Sequence, residues 1–304
     1  MFPAADFRNE MDLCYFEPQT LEEALKLLHD MKDDAVLLAG GSDLMPRVKH
    51  GHISSRNIIS LARVLGLQQI IMGATGEVLI GPMVTHRVLE GSSLVQEKYP
   101  ILGEAASVIA CRSIRNAGTI GGNICNASPA ADLAPPLLVL DAGITVRSVD
   151  RKRVIPAIKF FKEPGKTVLE PGEMVTAIAV PPVPHGWGDC YMKLGTRNAM
   201  EISTVSVGTG LVVDQNGICK VARVALGAVG PVPLRAMKAE QFLEGKKLEM
   251  DGPEVVAAAQ AAAGESRPIT DMRATLDYRR QMVEVFTRRA INKALERAKE
   301  VLKS

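Results

Sequence analysis

The chain has 304 residues and a mass of 32.7 kDa, which at roughly 100–200 residues per domain predicts two domains, or one large domain with a substantial lobe. Its 36 Lys and Arg offset 34 Asp and Glu to a net charge of +2, so no global field gathers nucleic acid or an anionic membrane. With 47% apolar, 23% charged and 4% aromatic residues, the composition excludes intrinsic disorder and collagen-like repeats and argues against base-stacking platforms.

Met1-Phe2-Pro3-Ala4-Ala5-Asp6-Phe7-Arg8 lacks a basic-then-apolar leader, and no run of roughly 18 apolar residues could span a bilayer, so a cytoplasmic protein without a membrane span is expected. Thr20-Leu21-Glu22-Glu23 has the form of a capping box, and Leu21, Ala24, Leu25, Leu28 and Met31 follow at helical spacing. Asp33-Asp34 closes that helix, Ala35-Val36-Leu37-Leu38 reads as a buried strand, and Gly40-Gly41-Ser42-Asp43 comes next. Residues 57–61 and 77–80 read as strands, and 101–110 as a helix with a small-residue face; a second glycine loop, residues 116–123, follows it.

Ser128-Pro129 has the form of a helix N-cap followed by proline, leading through Ala131-Asp132-Leu133 into an apolar run to Leu140 that Pro135-Pro136 keeps short or kinked. Residues 144–149 and 174–180 read as strands, and the proline-rich stretch 181–188 predicts a domain boundary. Beyond it, residues 203–213 and 218–226 form a predicted hairpin around Asp214-Gln215-Asn216-Gly217. Helices are predicted at 236–244, 253–263 and 275–301. In the last, Leu276, Val283, Phe286, Ala290, Leu295 and Ala298 share one face, and Arg279, Arg280, Arg288, Arg289 and Lys293 a solvated one.

Five scattered cysteines without a Cys-x-x-Cys, and five dispersed histidines of which only His50 and His52 are close, predict no metal site. The glycine pairs offer different chemistry. Without a Cβ in the way, backbone N–H groups can approach a phosphate, and neighbouring hydroxyls add donors. A Gly-Gly after a strand is most often only a turn, but two in one domain suit a diphosphate. Neither matches a P-loop or the Gly-x-Gly-x-x-Gly turn.

Five blocks in order then carry a resemblance over nearly the whole chain: Leu38-Ala39-Gly40-Gly41-Ser42-Asp43-Leu44; Ile114-Arg115-Asn116-Ala117-Gly118-Thr119-Ile120-Gly121-Gly122-Asn123-Ile124; Ser128-Pro129-Ala130-Ala131-Asp132-Leu133-Ala134-Pro135; Pro164-Gly165-Lys166-Thr167; and Lys193-Leu194-Gly195-Thr196-Arg197-Asn198-Ala199-Met200-Glu201-Ile202. The chain resembles the FAD-binding subunits of molybdenum hydroxylases, which include bacterial xanthine dehydrogenase, carbon monoxide dehydrogenase and 4-hydroxybenzoyl-CoA reductase. Residues 121–126 and 161–173 look most like the xanthine dehydrogenase form.

The resemblance implies an α+β fold. A vanillyl-alcohol-oxidase, PCMH-type FAD domain (1–182, subdomains about 1–60 and 61–182) would precede a C-terminal α+β domain (183–304). It implies that Leu37, Leu38, Ala39, Gly40, Gly41, Ser42, Asp43 and Leu44, with Gly118, Thr119, Ile120, Gly121, Gly122 and Asn123, hold the FAD diphosphate. Asp132, with Ser128 nearby, would meet the ribityl or adjacent polar groups; from sequence alone it is a carboxylate in a helix's first turn. Ile109 and Val175 would pack on the cofactor, or simply be core residues. Lys193 would lie near the flavin with Tyr191 beside it, or be a surface lysine and a strand tyrosine.

No catalytic residue or metal is required of this chain. A large molybdopterin subunit would hydroxylate the substrate, with a purine or related N-heterocycle as the first expectation and an aromatic or carbon monoxide alternative open. A small subunit with two [2Fe-2S] clusters would deliver electrons to FAD, and NAD+ or another acceptor would receive them from this heterotrimer. The chain lacks the clustered extra cysteines of the hydroxybenzoyl-CoA reductase form, which argues against that subtype. A stand-alone FAD oxidoreductase finds little chain left for a substrate pocket. An assembly subunit that had lost its flavin would not need Gly40-Gly41 and Gly121-Gly122.

Overall fold

A computed structural model describes residues 13–197 and 199–303; the segment inspected for a leader, and Asn198, lie outside them. The described part begins with β1 (Cys14–Phe16), α1 (Leu21–Met31), β2 (Ala35–Leu38), α2 (Leu44–Lys49) and β3 (Asn57–Ser60). The strands form a parallel sheet in the order β1-β3-β2, with Leu37 opposite Ile59. The capping box is present: Glu23 N–H donates to Thr20 Oγ1 at 3.2 Å and Thr20 N–H to Glu23 Oε2 at 3.3 Å. With its start fixed, α1 buries Ala24, Leu25 and Leu28 in one cluster with Ile59 and Leu61.

The next layer is the sheet β4-β5-β10-β6-β7, built from β4 (Ile70–Met72), β5 (Val78–Ile80), β6 (Gly143–Arg147), β7 (Lys152–Pro156) and β10 (Met174–Val180); β8 (Phe161–Glu163) and β9 (Lys166–Thr167) pair separately. Six short helices run between β5 and β6: α3 (His86–Gly91), α4 (Ser93–Lys98), α5 (Pro100–Ser107), α6 (Arg112–Ala117), α7 (Ile120–Cys125) and α8 (Ala134–Val139). Their apolar faces, including Leu89, Ile101, Ile120 and Leu137, share a core with Ile80, Ile144 and Ile178 of the sheet.

Three expectations change here. The helix expected over 101–110 stops at Ser107, and Ala110 adopts a left-handed φ of 42°. The second glycine loop is mostly helix, with α6 and α7 flanking Gly118 and Thr119 capping α7 by accepting from Gly122 N–H at 3.0 Å. Ser128 opens a turn, its Oγ accepting from Ala130 N–H at 3.2 Å, and α8 starts only at Ala134, with proline in its first turn where a missing N–H costs nothing. Asp132 therefore precedes the helix.

The last layer is the antiparallel sheet β11-β12-β13-β14, of β11 (Trp187–Leu194), β12 (Val205–Val213), β13 (Cys219–Gly227) and β14 (Leu234–Arg235), followed by α9 (Met237–Leu243), α10 (Pro253–Glu265) and α11 (Leu276–Val301). The predicted hairpin turn is held by Asp214 Oδ1, which accepts from Asn216 and Ile218 N–H, both at 2.9 Å. A Cβ on Gly208 would lie 3.2–3.4 Å from Val139, Ile101 and Pro135, so α5 and α8 seat closely on this sheet.

The join between the halves is polar and centred on a buried carboxyl group. Asp189 is 1% exposed and accepts from Ile101 N–H at 3.2 Å and Trp187 Nε1–H at 3.1 Å, and burial pushes its carboxyl up to about 7. Arg297 of α11 donates to the Asp189 carbonyl at 2.7 Å and to Glu104 at 2.5 Å, while Glu104 also accepts from Tyr191 N–H at 2.8 Å. Among the described residues no helix is long and apolar enough to cross a membrane.

Arg279 reverses the expected outward orientation. It is 2% exposed and donates to the Thr204 carbonyl (2.9 Å), the Ala228 carbonyl (3.1 Å) and Asp271 (2.7 Å). Arg280, Arg288 and Arg289 do face solvent, while Leu276, assigned to the apolar face, is 37% exposed. Arg279→Leu should lower stability by about 2–4 kcal/mol in urea unfolding, because it strands buried carbonyls. A loss under about 1 kcal/mol would mean that solvent replaces its three bonds.

Candidate functional site

A cavity of about 800 Å³ opens where the three layers meet, within the range of roughly 300–1,000 Å³ typical of ligand sites. Leu37, Ala39, Gly40, Gly41, Ser42, Asp43 and Leu44 form one wall, and Thr119, Gly122, Asn123, Ser128 and Asp132 another, with Ile109 at the apolar end. Leu38, Gly118, Ile120 and Gly121 stand behind these walls. Val175 of β10 is 4% exposed and belongs to the helix–sheet core, while Tyr191 and Lys193 reach the cavity through Asp132.

The first glycine segment leaves β2 and turns at Gly41, whose φ of +73° favours glycine. Ser42 Oγ–H donates to Asp43 Oδ2 at 3.1 Å, and Asn126 Nδ2–H donates to Asp43 Oδ1 at 3.2 Å, tying the turn to the residue after α7. The consecutive N–H groups of Gly40, Gly41, Ser42, Asp43 and Leu44 have no acceptor among the described residues. The turn exists because Gly40 has no side chain: a Cβ there would sit 2.0 Å from the Ala117 carbonyl oxygen and 2.8 Å from Gly118 Cα.

The second segment behaves differently. Ile120 N–H is taken by the Val84 carbonyl and Gly121 N–H by that of Pro82, both at 2.9 Å, and Gly122 and Asn123 N–H go to Thr119. Gly121 is needed for packing, since its Cβ would fall 2.6 Å from Pro82. Four of the amides offered as phosphate donors are thus already used. Asn123 Oδ1 remains, buried without a partner beside the cavity.

Asp132 gathers three donors. Tyr191 O–H (2.6 Å) and Ser203 Oγ–H (2.5 Å) donate to Oδ1, and Lys193 Nζ donates to Oδ2 at 2.9 Å and to the Val108 carbonyl at 3.2 Å. Burial, and then the Asp132 charge, hold the Tyr191 hydroxyl well above its ordinary pKa, so it keeps its proton and donates it to Asp132. A carboxylate accepts about four hydrogen bonds, which leaves Asp132 one for a ligand.

Several lining residues were not singled out from sequence. Glu170 and Glu173 lie in the block 161–173; burial pushes Glu173 upward, but Arg153 (2.5 Å) and Arg151 (3.0 Å) outweigh it and hold the carboxyl down to about 2. Those arginines offset the negative charge that Glu170 and Glu173 bring to the cavity wall. Glu201 and Ile202 also line the cavity, on a loop tied down where Met200 N–H donates to the Ala110 carbonyl at 3.1 Å. His86 lines the cavity too, and a lone histidine after a strand carried no signal. Among the described residues no group of His, Cys, Asp and Glu could hold a metal ion.

Partnerless amides, an orphan carboxamide oxygen and a free acceptor position on Asp132 around one cavity suit an elongated ligand with an anionic centre and hydroxyl groups. FAD has that chemistry, and the residues present fit it.

Comparison with known proteins agrees with the geometry. Residues 7–183 match the family model of the FAD binding domain in molybdopterin dehydrogenase, and residues 190–294 that of the CO dehydrogenase flavoprotein C-terminal domain. The chain is 33% identical to the xanthine dehydrogenase FAD-binding subunit of Escherichia coli O157:H7, over 93% of its own length and 96% of the relative's. It is also 33% identical to the carbon monoxide dehydrogenase medium chain of Afipia carboxidovorans, over 94% and 97% of the two chains. The crystal structure of the cyanide-inactivated Cu,Mo-CO dehydrogenase aligns with a TM-score of 0.89 at 32% identity, covering 94% of this chain and 98% of that one.

Gly40→Ala should lower the melting temperature by about 5 °C or more, because the two segments must part to admit a methyl group. Gly264→Ala in α10, where a Cβ meets nothing within 4 Å, should raise it slightly. Equal shifts for the two variants would refute the contact as the cause.

Proposed function

Because the chain belongs to the family of FAD-binding medium subunits of molybdenum hydroxylases, we propose that it holds FAD in the cavity between its glycine segments and Asp132 and serves as the electron outlet of a multi-subunit complex. The observation that carries this reading is the run of partnerless amides from Gly40 to Leu44, residues that line one cavity with Asp132. Those amides would take the diphosphate. Asn123 would meet the same polar stretch, and a half-turn of its carboxamide presents Nδ2–H as a donor. The free acceptor position of Asp132 would receive a ribityl hydroxyl, and Ile109 would pack on the ring.

Bound FAD supplies the exchange between one-electron and two-electron transfer. The chain's own contribution is position and field. Lys193 is held by Asp132 and the Val108 carbonyl near the proposed ring site, and its ammonium would favour the reduced flavin. Residues 1–182 form the FAD-binding domain in this reading, and 183–304 the C-terminal domain.

The partners are a large molybdopterin subunit and a small [2Fe-2S] subunit, in a cytoplasmic complex in keeping with the free thiols. Electrons would pass from the clusters through FAD to NAD+ or another acceptor. Relatives named for xanthine, carbon monoxide and glyceraldehyde are all 33–34% identical to this chain. Such even similarity supports a substrate chosen on another polypeptide, with a purine or related N-heterocycle as the first candidate.

The purified chain should show a flavin absorption spectrum that anaerobic NADH bleaches. A flavin indifferent to NADH would move the acceptor elsewhere, and a chain that neither carries nor takes up FAD would be an assembly subunit instead. Lys193→Ala should lower the midpoint potential of the bound flavin, measured by spectroelectrochemical titration; an unchanged potential removes the role given to Lys193.

A further inference from the structure

His86 is the first residue of α3, where Thr85 Oγ1 caps the helix by accepting from Val88 N–H at 3.2 Å. Its backbone is fixed to the second glycine segment, with His86 N–H donating to the Gly118 carbonyl at 2.9 Å and Thr85 bridged to Thr119. The ring lines the cavity yet is only 4% exposed. Burial, and then the nearby Arg115 guanidinium, push its pKa down to about 4. At neutral pH one ring nitrogen therefore carries a proton and the other does not.

Which nitrogen carries it follows from the surroundings. Nδ1 is sealed from solvent and has no partner. An orphaned N–H in such a place costs more than an orphaned lone pair, so the proton belongs on Nε2. Nε2 has no protein acceptor among the described residues, and it is the ring nitrogen left open. Gly118 leaves it uncovered, since a Cβ there would stand 3.1 Å from Nε2. Gly40 packs against Gly118 in turn, so the His86 ring and the partnerless amides from Gly40 onward border the same cavity on either side of this glycine contact. Donors without protein acceptors around one cavity call for an acceptor-only group.

We infer that His86 is a further ligand-contacting residue, its Nε2–H donating to a phosphate oxygen of the bound dinucleotide where the two glycine segments meet. This rests on the reading of the cavity as an FAD site and adds a side-chain donor to the backbone amides. It also accounts for a polar ring held in the wall of an apolar helix layer. A core histidine here would leave both nitrogens unpaired, whereas phosphate satisfies one of them.

The test uses the full chain freed of flavin, titrated with FAD, ADP and riboflavin. His86→Leu should weaken FAD and ADP about tenfold and leave riboflavin unchanged, while His86→Gln, whose amide places a donor near Nε2, should stay within about threefold of wild type. Unaltered FAD and ADP affinity in His86→Leu, or an equal loss for riboflavin, would overturn the inference while the FAD site stands. Wild type that binds neither FAD nor ADP would overturn that reading and this one together. Should His86→Leu not fold, wild type labelled with 15N-histidine decides the matter. The His86 signals, identified by their loss in His86→Gln, should report an Nε2–H tautomer and move on adding ADP; signals that ADP leaves in place would overturn the inference.

Discussion

The closeness of Gly40 to the Ala117–Gly118 backbone is the constraint from which the site follows. Two chain segments from different layers approach until no side chain fits between them. The parallel sheet thereby presents its turn to the helical layer at one point, and the amides beyond it cannot fold back onto a protein acceptor. A larger residue at Gly40 would let the turn relax and satisfy those amides internally. The unfilled donors are thus a consequence of packing decided elsewhere, a form of preorganisation that requires no flexible lid.

Asp132 does for side chains what Gly40 does for backbone. It lies between the helical layer and the last sheet, and draws Tyr191, Lys193 and Ser203 toward one carboxylate. Each donor comes from the C-terminal half, so the polarity of the cavity is set jointly by residues about 60–70 positions apart. Removing any one of them leaves a buried group short of a partner, a costlier state than a wholly apolar substitute.

Local signals proved legible where local chemistry decides. The Thr20–Glu23 box and the Asp214 turn could be read because each is closed by residues within a few positions of one another, and the strand before Gly40 because its unbroken apolar run suits a buried strand even though its partner Ile59 is distant. The α7 region was misread as loop because Ile120-Gly121-Gly122 has poor helix propensity; its amides bond to Val84 and Pro82, far away in sequence. Arg279 was placed outward by helical periodicity, yet the Thr204 and Ala228 carbonyls draw it inward, and no pattern within α11 announces them. The glycine pairs and Asp132 stood out through resemblance to whole blocks. His86 did not, since its significance depends on an empty space over Gly118.

The polar join at Glu104, Asp189 and Arg297 sets a limit on modularity. The two family matches follow one another in the sequence as though they were interchangeable parts, yet Asp189 lies between them, in residues 184–189, and Arg297 lies beyond residue 294, where the second match ends. A recombination event that exchanged one half at the matched boundaries would bring a foreign surface to Asp189, a carboxyl with almost no solvent, and could omit its guanidinium neighbour. The two halves are therefore a matched pair, each carrying polar groups whose partners lie in the other.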